Sequence, residues 1–186
     1  WVRALVRGTL LAIVTYGGLA LLLLVRLVEA PVCGRRRPVT PHVTQGVCRA
    51  AFPILGLGYA VRGHPMTERG AIVANHASWL DIFALNACQR VYFVSKFEVA
   101  RWPFIGWLAR ATGTVFIERD PRKAREHQAE FEARLRASHR LLFFPEGTST
   151  DGQGVVAHLY AEGGKGGWKL VSVYYQDHGV DEGDGM

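Results

Sequence analysis

Short runs of β-forming residues alternate with helical segments along most of this chain, and the alternation constrains its fold more than any other feature. The predicted strands are residues 59–62, 71–74, 91–95, 114–117, 141–144 and, with a weaker pattern, 170–175. Helical segments are predicted at about 79–88, 97–111 and 121–138. This order predicts an α/β domain with a largely parallel central sheet flanked by helices. A chain of 186 residues is long enough for one such core.

An uncharged apolar run over residues 8–25 precedes this domain. Because a helix needs about 20 mainly apolar residues to cross a bilayer, the run predicts an N-terminal membrane helix. A signal peptide and a buried core helix are the alternatives, and Pro31 directly after Ala30 disfavours a cleavage site there. A second apolar stretch, residues 50–60, is short and broken by Gly and Pro, so we expect it at the membrane interface or packed on the domain. The predicted division is an anchor and interfacial segment over 1–58 and a catalytic domain over 59–186.

The chain is basic, with a formal net charge of +6 and a pI near 9.5. Such a balance favours an anionic partner, and the apolar start indicates membrane lipids rather than nucleic acid. Arg26 and the run at residues 35–37 follow the apolar segment, which favours the cytoplasmic side of an inner membrane for the domain, although Arg3 and Arg7 argue against this. Three cysteines without C-x-x-C spacing indicate neither a disulfide framework nor a zinc site. The pattern gives no oligomeric state.

The first chemical motif, residues 75–81 (NHASWLD), follows the predicted strand at 71–74. His76 is a candidate general base, because imidazole titrates near neutral pH, and Asp81 is a candidate partner that orients it. The alternative is structural, since Ser78-x-x-Asp81 also fits a capping box at the start of a helix.

The second motif, residues 144–149 (FPEGTS), follows the strand at 141–144. Sites in parallel sheets form at the carboxyl ends of strands, so both motifs are expected at one end of the sheet. Gly147 lets backbone amides approach a ligand, although Pro-x-Gly is also common in ordinary turns.

Two basic residues follow neighbouring strands. Arg119 suits a phosphate through its guanidinium fork, unless it pairs with Glu118 or Asp120 instead. Lys96 adds positive potential for anionic groups or is an ordinary surface lysine.

Taken in order, residues 75–81, 115–119 (VFIER) and 144–148 resemble the glycerolipid acyltransferases that include bacterial 1-acyl-glycerol-3-phosphate acyltransferases. The resemblance covers about residues 59–153 and includes 94–100 and 102–106. It implies transfer of a fatty acyl group from acyl-CoA or acyl-carrier protein to the free hydroxyl of 1-acyl-glycerol-3-phosphate, forming phosphatidic acid, with no metal or prosthetic group. Another lysolipid acceptor, such as lyso-ornithine lipid, is an alternative.

The resemblance also implies residue roles. They are a general base (His76), its orienting partner (Asp81), an acceptor-phosphate ligand (Arg119) and an acceptor pocket (Glu146, Gly147 and Thr148). Residues 154–186 depart from the family pattern, being rich in glycine and then acidic.

Two other functions are open at this level. A hydrolase or thioesterase with the same His/Asp pair is the second alternative, although the lack of a Gly-x-Ser-x-Gly motif disfavours an acyl-serine enzyme. A non-catalytic membrane protein that binds lipid through its basic face is the third alternative.

Overall fold

The structure, a computed structural model, describes residues 1–61, 64–66, 70–118 and 120–144. The helices are α1 (Val2–Cys33), α2 (Thr40–Leu55), α3 (Leu80–Cys88), α4 (Ile105–Thr112) and α5 (Ala124–Arg136). The strands are β1 (Gly70–Val73), β2 (Tyr92–Lys96), β3 (Val115–Ile117) and β4 (Arg140–Phe143). Short 3₁₀ turns occupy Phe97–Arg101 and Pro121–Lys123.

The four strands form one sheet in the order β1-β4-β2-β3, and every neighbouring pair is parallel. This confirms the predicted α/β architecture. The register joins Val73 to Phe143 and Val94 to Val115. The strand that comes last in the described chain, β4, therefore lies between β1 and β2, and all four carboxyl ends lie together.

Successive residues of β4 supply opposite faces of the sheet, as strand geometry requires. Leu142 packs with Ile72 and Phe93 in a cluster that also contacts α3. Leu141 packs with residues of β2 and β3 and with Leu135 of α5. Both leucines are only 1% exposed, so the sheet is covered on both faces. We call these the α3 face and the α5 face.

The helix α1 extends well beyond the predicted run at 8–25. It is long and apolar enough to cross a membrane, judged by length and composition. Most of its large apolar side chains are exposed, including Ile13 and Leu24. An apolar medium around α1 would bury surface that is otherwise in contact with water.

The second helix, α2, lies along α1 in the opposite direction. Arg7 near the start of α1 donates a hydrogen bond to the Leu55 carbonyl at 2.9 Å. At the other end the buried Glu29 carboxylate accepts from the Val39 and Thr40 backbone amides at 2.7 and 3.2 Å. Glu29 therefore caps the first turn of α2 from a different helix.

The α1–α2 hairpin is joined to the α/β domain through α3. Cys48 and Phe52 of α2 form a buried cluster with Ala87. Arg49 donates a hydrogen bond to the Ala87 carbonyl at 3.0 Å. This carbonyl lies in the last turn of α3 and has no partner within the helix. The interfacial stretch predicted at 50–60 is thus partly the last turns of α2, which pack on the domain.

Two sequence predictions were wrong in detail. Residues 59–61 form no strand, because the Tyr59 ring stacks on Phe52 at 4.5 Å and its hydroxyl donates to the Ala84 carbonyl at 2.8 Å. The helix predicted at 97–111 is broken between the 3₁₀ turn and α4, where Pro103 lacks an amide hydrogen and restricts the residue before it. The helix predicted at 121–138 is confirmed as a 3₁₀ turn followed by α5. Arg62 and the strand predicted at 170–175 lie outside the described residues.

Candidate active site

The carboxyl ends of β1 and β4 bring His76 and Phe144 together. Hydrogen bonding between these strands continues past β1, because the Ala74 amide donates to the Phe143 carbonyl at 3.1 Å. The His76 ring then stacks on the Phe144 ring, with centroids 4.2 Å apart and planes inclined by 22°. Phe144 in turn stacks on Phe93 at 5.7 Å. The imidazole thus extends a stack of two successive phenylalanine rings on the α3 face of the sheet.

One oxygen of Asp81 organises the turn between β1 and α3. Its Oδ2 lies 3.0 Å from His76 Nδ1 and accepts from the backbone amides of Ala77 and Ser78 at 2.7 and 2.8 Å. Because an ionised carboxylate only accepts, Nδ1 carries the proton in this arrangement. In this tautomer Nε2 is the unprotonated ring nitrogen, which is the form that a general base needs.

Asp81 also contributes to the start of α3. The Ser78 hydroxyl accepts from the Leu80 amide at 3.2 Å, while the Asp81 carboxylate returns to the Ser78 amide. This pattern resembles a capping box, except that the Ser78 hydroxyl bonds the Leu80 amide rather than the Asp81 amide. It satisfies free backbone amides just before and at the start of α3. The same carboxylate therefore starts the helix and orients the imidazole, so the two interpretations describe one structure.

The His76–Asp81 pair is partly accessible. The side chains of His76 and Asp81 retain 22% and 26% of their exposure. A buried pair could not meet a substrate, and a fully exposed one would not hold its orientation. The pair suits proton transfer to and from a substrate that approaches the end of the sheet.

Lys96 lies at the same end of the sheet but projects from the other face. It is the last residue of β2 and pairs with Ile117, whose side chain packs against the cluster on the α5 face. Side chains of paired residues in neighbouring strands point the same way. The structure therefore does not bring Lys96 and His76 onto one face.

Arg119, Glu146, Gly147 and Thr148 lie outside the described residues. Their chain positions follow β3 and Phe144 respectively. The acidic neighbours of Arg119 are engaged by other groups. Glu118 forms an ion pair with Lys123 at 2.7 Å, and the Asp120 carboxylate accepts from the Arg122 amide at 2.9 Å.

A cavity of about 570 Å³ opens between β3 and α5. Its lining includes Phe97, Glu118, Lys123, His127 and Glu130, and so carries both signs of charge. Neither His76 nor Asp81 lines it.

Within the described residues, no group of three or more His, Cys, Asp and Glu side chains could hold a metal ion.

The sequence analysis missed the role of the Phe144 ring. A signal was present, because alternation along β4 places Phe144 on the same face as Leu142, the α3 face. It also missed the backbone amides of Ala77 and Ser78, which no side-chain pattern reveals.

Comparison with known proteins identifies the family of this chain. The acyltransferase family model matches residues 60–168. A lyso-ornithine lipid O-acyltransferase of Rhodobacter capsulatus is 64% identical over 97% of this chain and 62% of its own length. A 1-acyl-sn-glycerol-3-phosphate acyltransferase of Neisseria gonorrhoeae is 36% identical over 70% of this chain and 55% of its own length.

A solved structure gives an independent comparison of the fold. The crystal structure of the 1-acyl-sn-glycerophosphate acyltransferase PlsC from Thermotoga maritima aligns with a TM-score of 0.51 and 22% identity. The alignment covers 80% of this chain and 66% of that one. At this identity the likeness concerns the fold. The chain spans about three-fifths of the length of its Rhodobacter relative.

Proposed function

We propose that this chain, which belongs to the acyltransferase family, moves a fatty acyl group from a thioester donor to the free hydroxyl of a lysolipid. One observation carries the proposal. His76 Nδ1 lies 3.0 Å from the Asp81 carboxylate and the imidazole stacks on Phe144, an arrangement that puts the proton on Nδ1 and makes Nε2 the unprotonated ring nitrogen. The donor is acyl-CoA or acyl-carrier protein.

The reaction follows from this arrangement. His76 Nε2 accepts the hydroxyl proton while the oxygen attacks the thioester carbonyl, and Asp81 stabilises the imidazolium that forms. The C–O bond forms, the C–S bond breaks, and the proton passes from the imidazolium to the departing thiolate. A base of this kind contributes typically about 10² to 10⁴ in rate.

We assign lyso-ornithine lipid as the acceptor. The relative with 64% identity carries that name, whereas relatives named for 1-acyl-sn-glycerol-3-phosphate are 36% identical. The latter acceptor, which would yield phosphatidic acid, is the second candidate. Arg119 serves either one, because its fork matches a carboxylate as well as a phosphate.

The remaining assignments rest on position in the chain. Glu146, Gly147 and Thr148 follow β4 and are assigned to the acceptor pocket at the end of the sheet that carries His76. Lys96 is assigned a general positive potential rather than contact with the acceptor, since it projects from the α5 face. We further propose that the enzyme acts at the cytoplasmic face of the inner membrane. The length and apolar composition of α1 support its contact with lipid.

The test is thiol release from acyl-CoA by the full chain in nanodiscs, with lyso-ornithine lipid, with 1-acyl-glycerol-3-phosphate and with no acceptor. Release that requires an acceptor and is faster with lyso-ornithine lipid is expected. A His76→Ala variant should lose at least about 100-fold in rate, the lower bound for a lost general base.

Three results would contradict parts of the proposal. Release without any acceptor indicates a hydrolase. Faster release with the glycerophosphate acceptor reverses the acceptor assignment. A folded protein that binds lipid but shows no turnover with either donor, before or after loss of His76, indicates a non-catalytic lipid-binding protein.

A further inference from the structure

Four large apolar side chains lie exposed between the 3₁₀ turn at Phe97–Arg101 and the first turn of α4. Trp102, Phe104, Ile105 and Trp107 retain 55%, 56%, 49% and 54% of their exposure. We call these four residues the aromatic loop. Single exposed apolar residues are ordinary on protein surfaces, but four within six positions form a patch of the kind that marks an interaction site.

The aromatic loop touches α1 near the middle of its apolar run. The Tyr16 ring meets the Phe104 ring edge-on, with centroids 6.3 Å apart, and Phe104 meets Trp107 in the same way at 5.3 Å. Tyr16 lies at the centre of residues 8–25, and Ile13, one turn before it, is 62% exposed. The medium that surrounds α1 at this level therefore also surrounds Phe104.

The backbone of the aromatic loop is fixed in a conformation that keeps its rings exposed. Phe104 has a φ of 62°, a positive value that L residues with bulky side chains rarely adopt. Gly106 packs directly on the preceding turn, since a Cβ there would lie 2.3 Å from the Ala100 carbonyl oxygen. The Arg110 guanidinium donates to that same carbonyl. The rings are thus presented by a closed turn, and strain of this kind is typical of functional sites.

A basic residue borders the patch. The Arg101 guanidinium lies over the Phe97 ring, 5.1 Å from its centroid. Amphipathic side chains of this type cover apolar surface with their stems and keep their charge at the polar boundary of a bilayer, near anionic head groups. Tryptophan is likewise favoured where apolar chains meet head groups.

We propose that the aromatic loop inserts into the bilayer that surrounds α1 and contacts membrane lipid directly. Its occupant is lipid because the patch is continuous with the exposed apolar side of α1. The loop follows β2 at the carboxyl end of the sheet, so insertion also brings the end that carries His76 to the lipid surface. The inference concerns membrane docking and does not depend on which lysolipid is the acceptor.

The test uses tryptophan fluorescence in vesicles whose phosphatidylcholine carries bromine on the acyl chains. Trp1, Trp79, Trp102 and Trp168 are replaced by Phe in the full chain, which leaves Trp107. The matched control replaces all five tryptophans by Phe and adds Arg136→Trp, on the far end of α5, where the side chain is 82% exposed. Far-UV circular dichroism checks folding of both.

Trp107 emission is expected to fall by roughly half or more in brominated vesicles compared with ordinary vesicles, since quenching requires contact at the acyl-chain boundary. The Arg136→Trp control should change little. A second protein that keeps Trp102 in place of Trp107 should behave like the first, and it carries the test if the first does not fold.

Two results would overturn the proposal. Equal emission in both vesicles, with ready quenching by aqueous acrylamide, would place the loop in water. Equal emission with protection from acrylamide would mean that a protein surface, from a partner or a second copy, covers the patch.

Discussion

His76 and His139 lie at opposite ends of the same sheet, and both rings stack on an aromatic residue. His76 stacks on Phe144 beyond the carboxyl end of β4, while His139 stacks on Tyr92 at 4.0 Å, just before the amino end of β4. Their electrostatic surroundings are opposite. His76 faces the Asp81 carboxylate and is partly accessible, whereas His139 is 3% exposed.

The surroundings of His139 hold it neutral. Burial is the main cause that lowers its pKa to about 4, and the nearby cations Arg134 and Arg37 lower it further, against a smaller opposing effect of the Arg35 backbone and Glu130. Stacking on an aromatic ring alone therefore does not decide which histidine is suited to act as a base. The two histidines differ in their neighbours and in their exposure. His76 lies beside a carboxylate and is partly accessible to solvent, whereas His139 lies near guanidinium groups and is buried.

Neutralising Asp81, the carboxylate partner of His76, should have the largest effect on turnover at neutral pH. Asp81→Asn keeps a side chain of the same size but can present an amide to His76, which favours the wrong tautomer. We expect the acceptor-dependent kcat/KM to fall by about 100-fold or more. A loss below about threefold in thiol-release assays would mean that His76 needs no carboxylate.

Removing the aromatic seat of His76 should have an intermediate effect. Phe144→Leu keeps apolar volume but loses the stacked ring, and aromatic pairs contribute about 0.5–1.5 kcal/mol, so kcat should fall by roughly two- to tenfold. The KM values should change little, because the ring acts through the imidazole. Phe144→Tyr should restore most of the activity, and equal losses in both variants would refute the stacking role.

Removing the cap without touching the His76 partner should affect stability more than chemistry. Ser78→Ala deletes the hydroxyl that accepts from the Leu80 amide, which typically costs about 1 kcal/mol of folding free energy. We expect a lower Tm in detergent and turnover within about threefold of the unmodified chain, because Asp81 retains its contacts. Activity as low as in Asp81→Asn would show that capping alone explains the motif.

Replacing His139 should leave neutral-pH turnover nearly unchanged and alter the response to acid. The unfolded chain takes up a proton near pH 6.5, whereas native His139 stays neutral down to about pH 4. Stability is therefore lost as the pH falls from about 6.5 towards 4. His139→Phe should flatten the fall of Tm over this interval, and an unchanged slope would mean that other groups cause it.

Much of this arrangement was predictable because it depends on local patterns. Alternation located four strands within a residue or two, and the carboxyl-end rule placed His76 beside the end of β4. Tyr59 misled the strand prediction, since an aromatic residue fits a strand pattern equally well when its ring packs on a helix. The break at Pro103 had a clear signal, because proline inside a helical pattern commonly interrupts it.

Other features depended on contacts between distant segments and had no local signal. The first turn of α2 is capped by Glu29, eleven residues before Thr40, so the usual search for a cap at the helix start finds nothing. The face of Lys96 became clear only from its register with Ile117. The contact between Tyr16 and Phe104 joins two apolar segments. Hydrophobic periodicity predicts each segment separately but not that the two are in contact.

The central position of β4 bears on how the protein is made. A ribosome releases His76 and Asp81 more than sixty residues before Phe144, the ring on which the imidazole rests. Until β4 enters between β1 and β2, those strands have no shared neighbour. During synthesis α1 and α2 are therefore complete while the ring on which His76 rests is still missing. The helix that is apolar enough to cross a membrane can thus be in place before the His76–Phe144 contact forms.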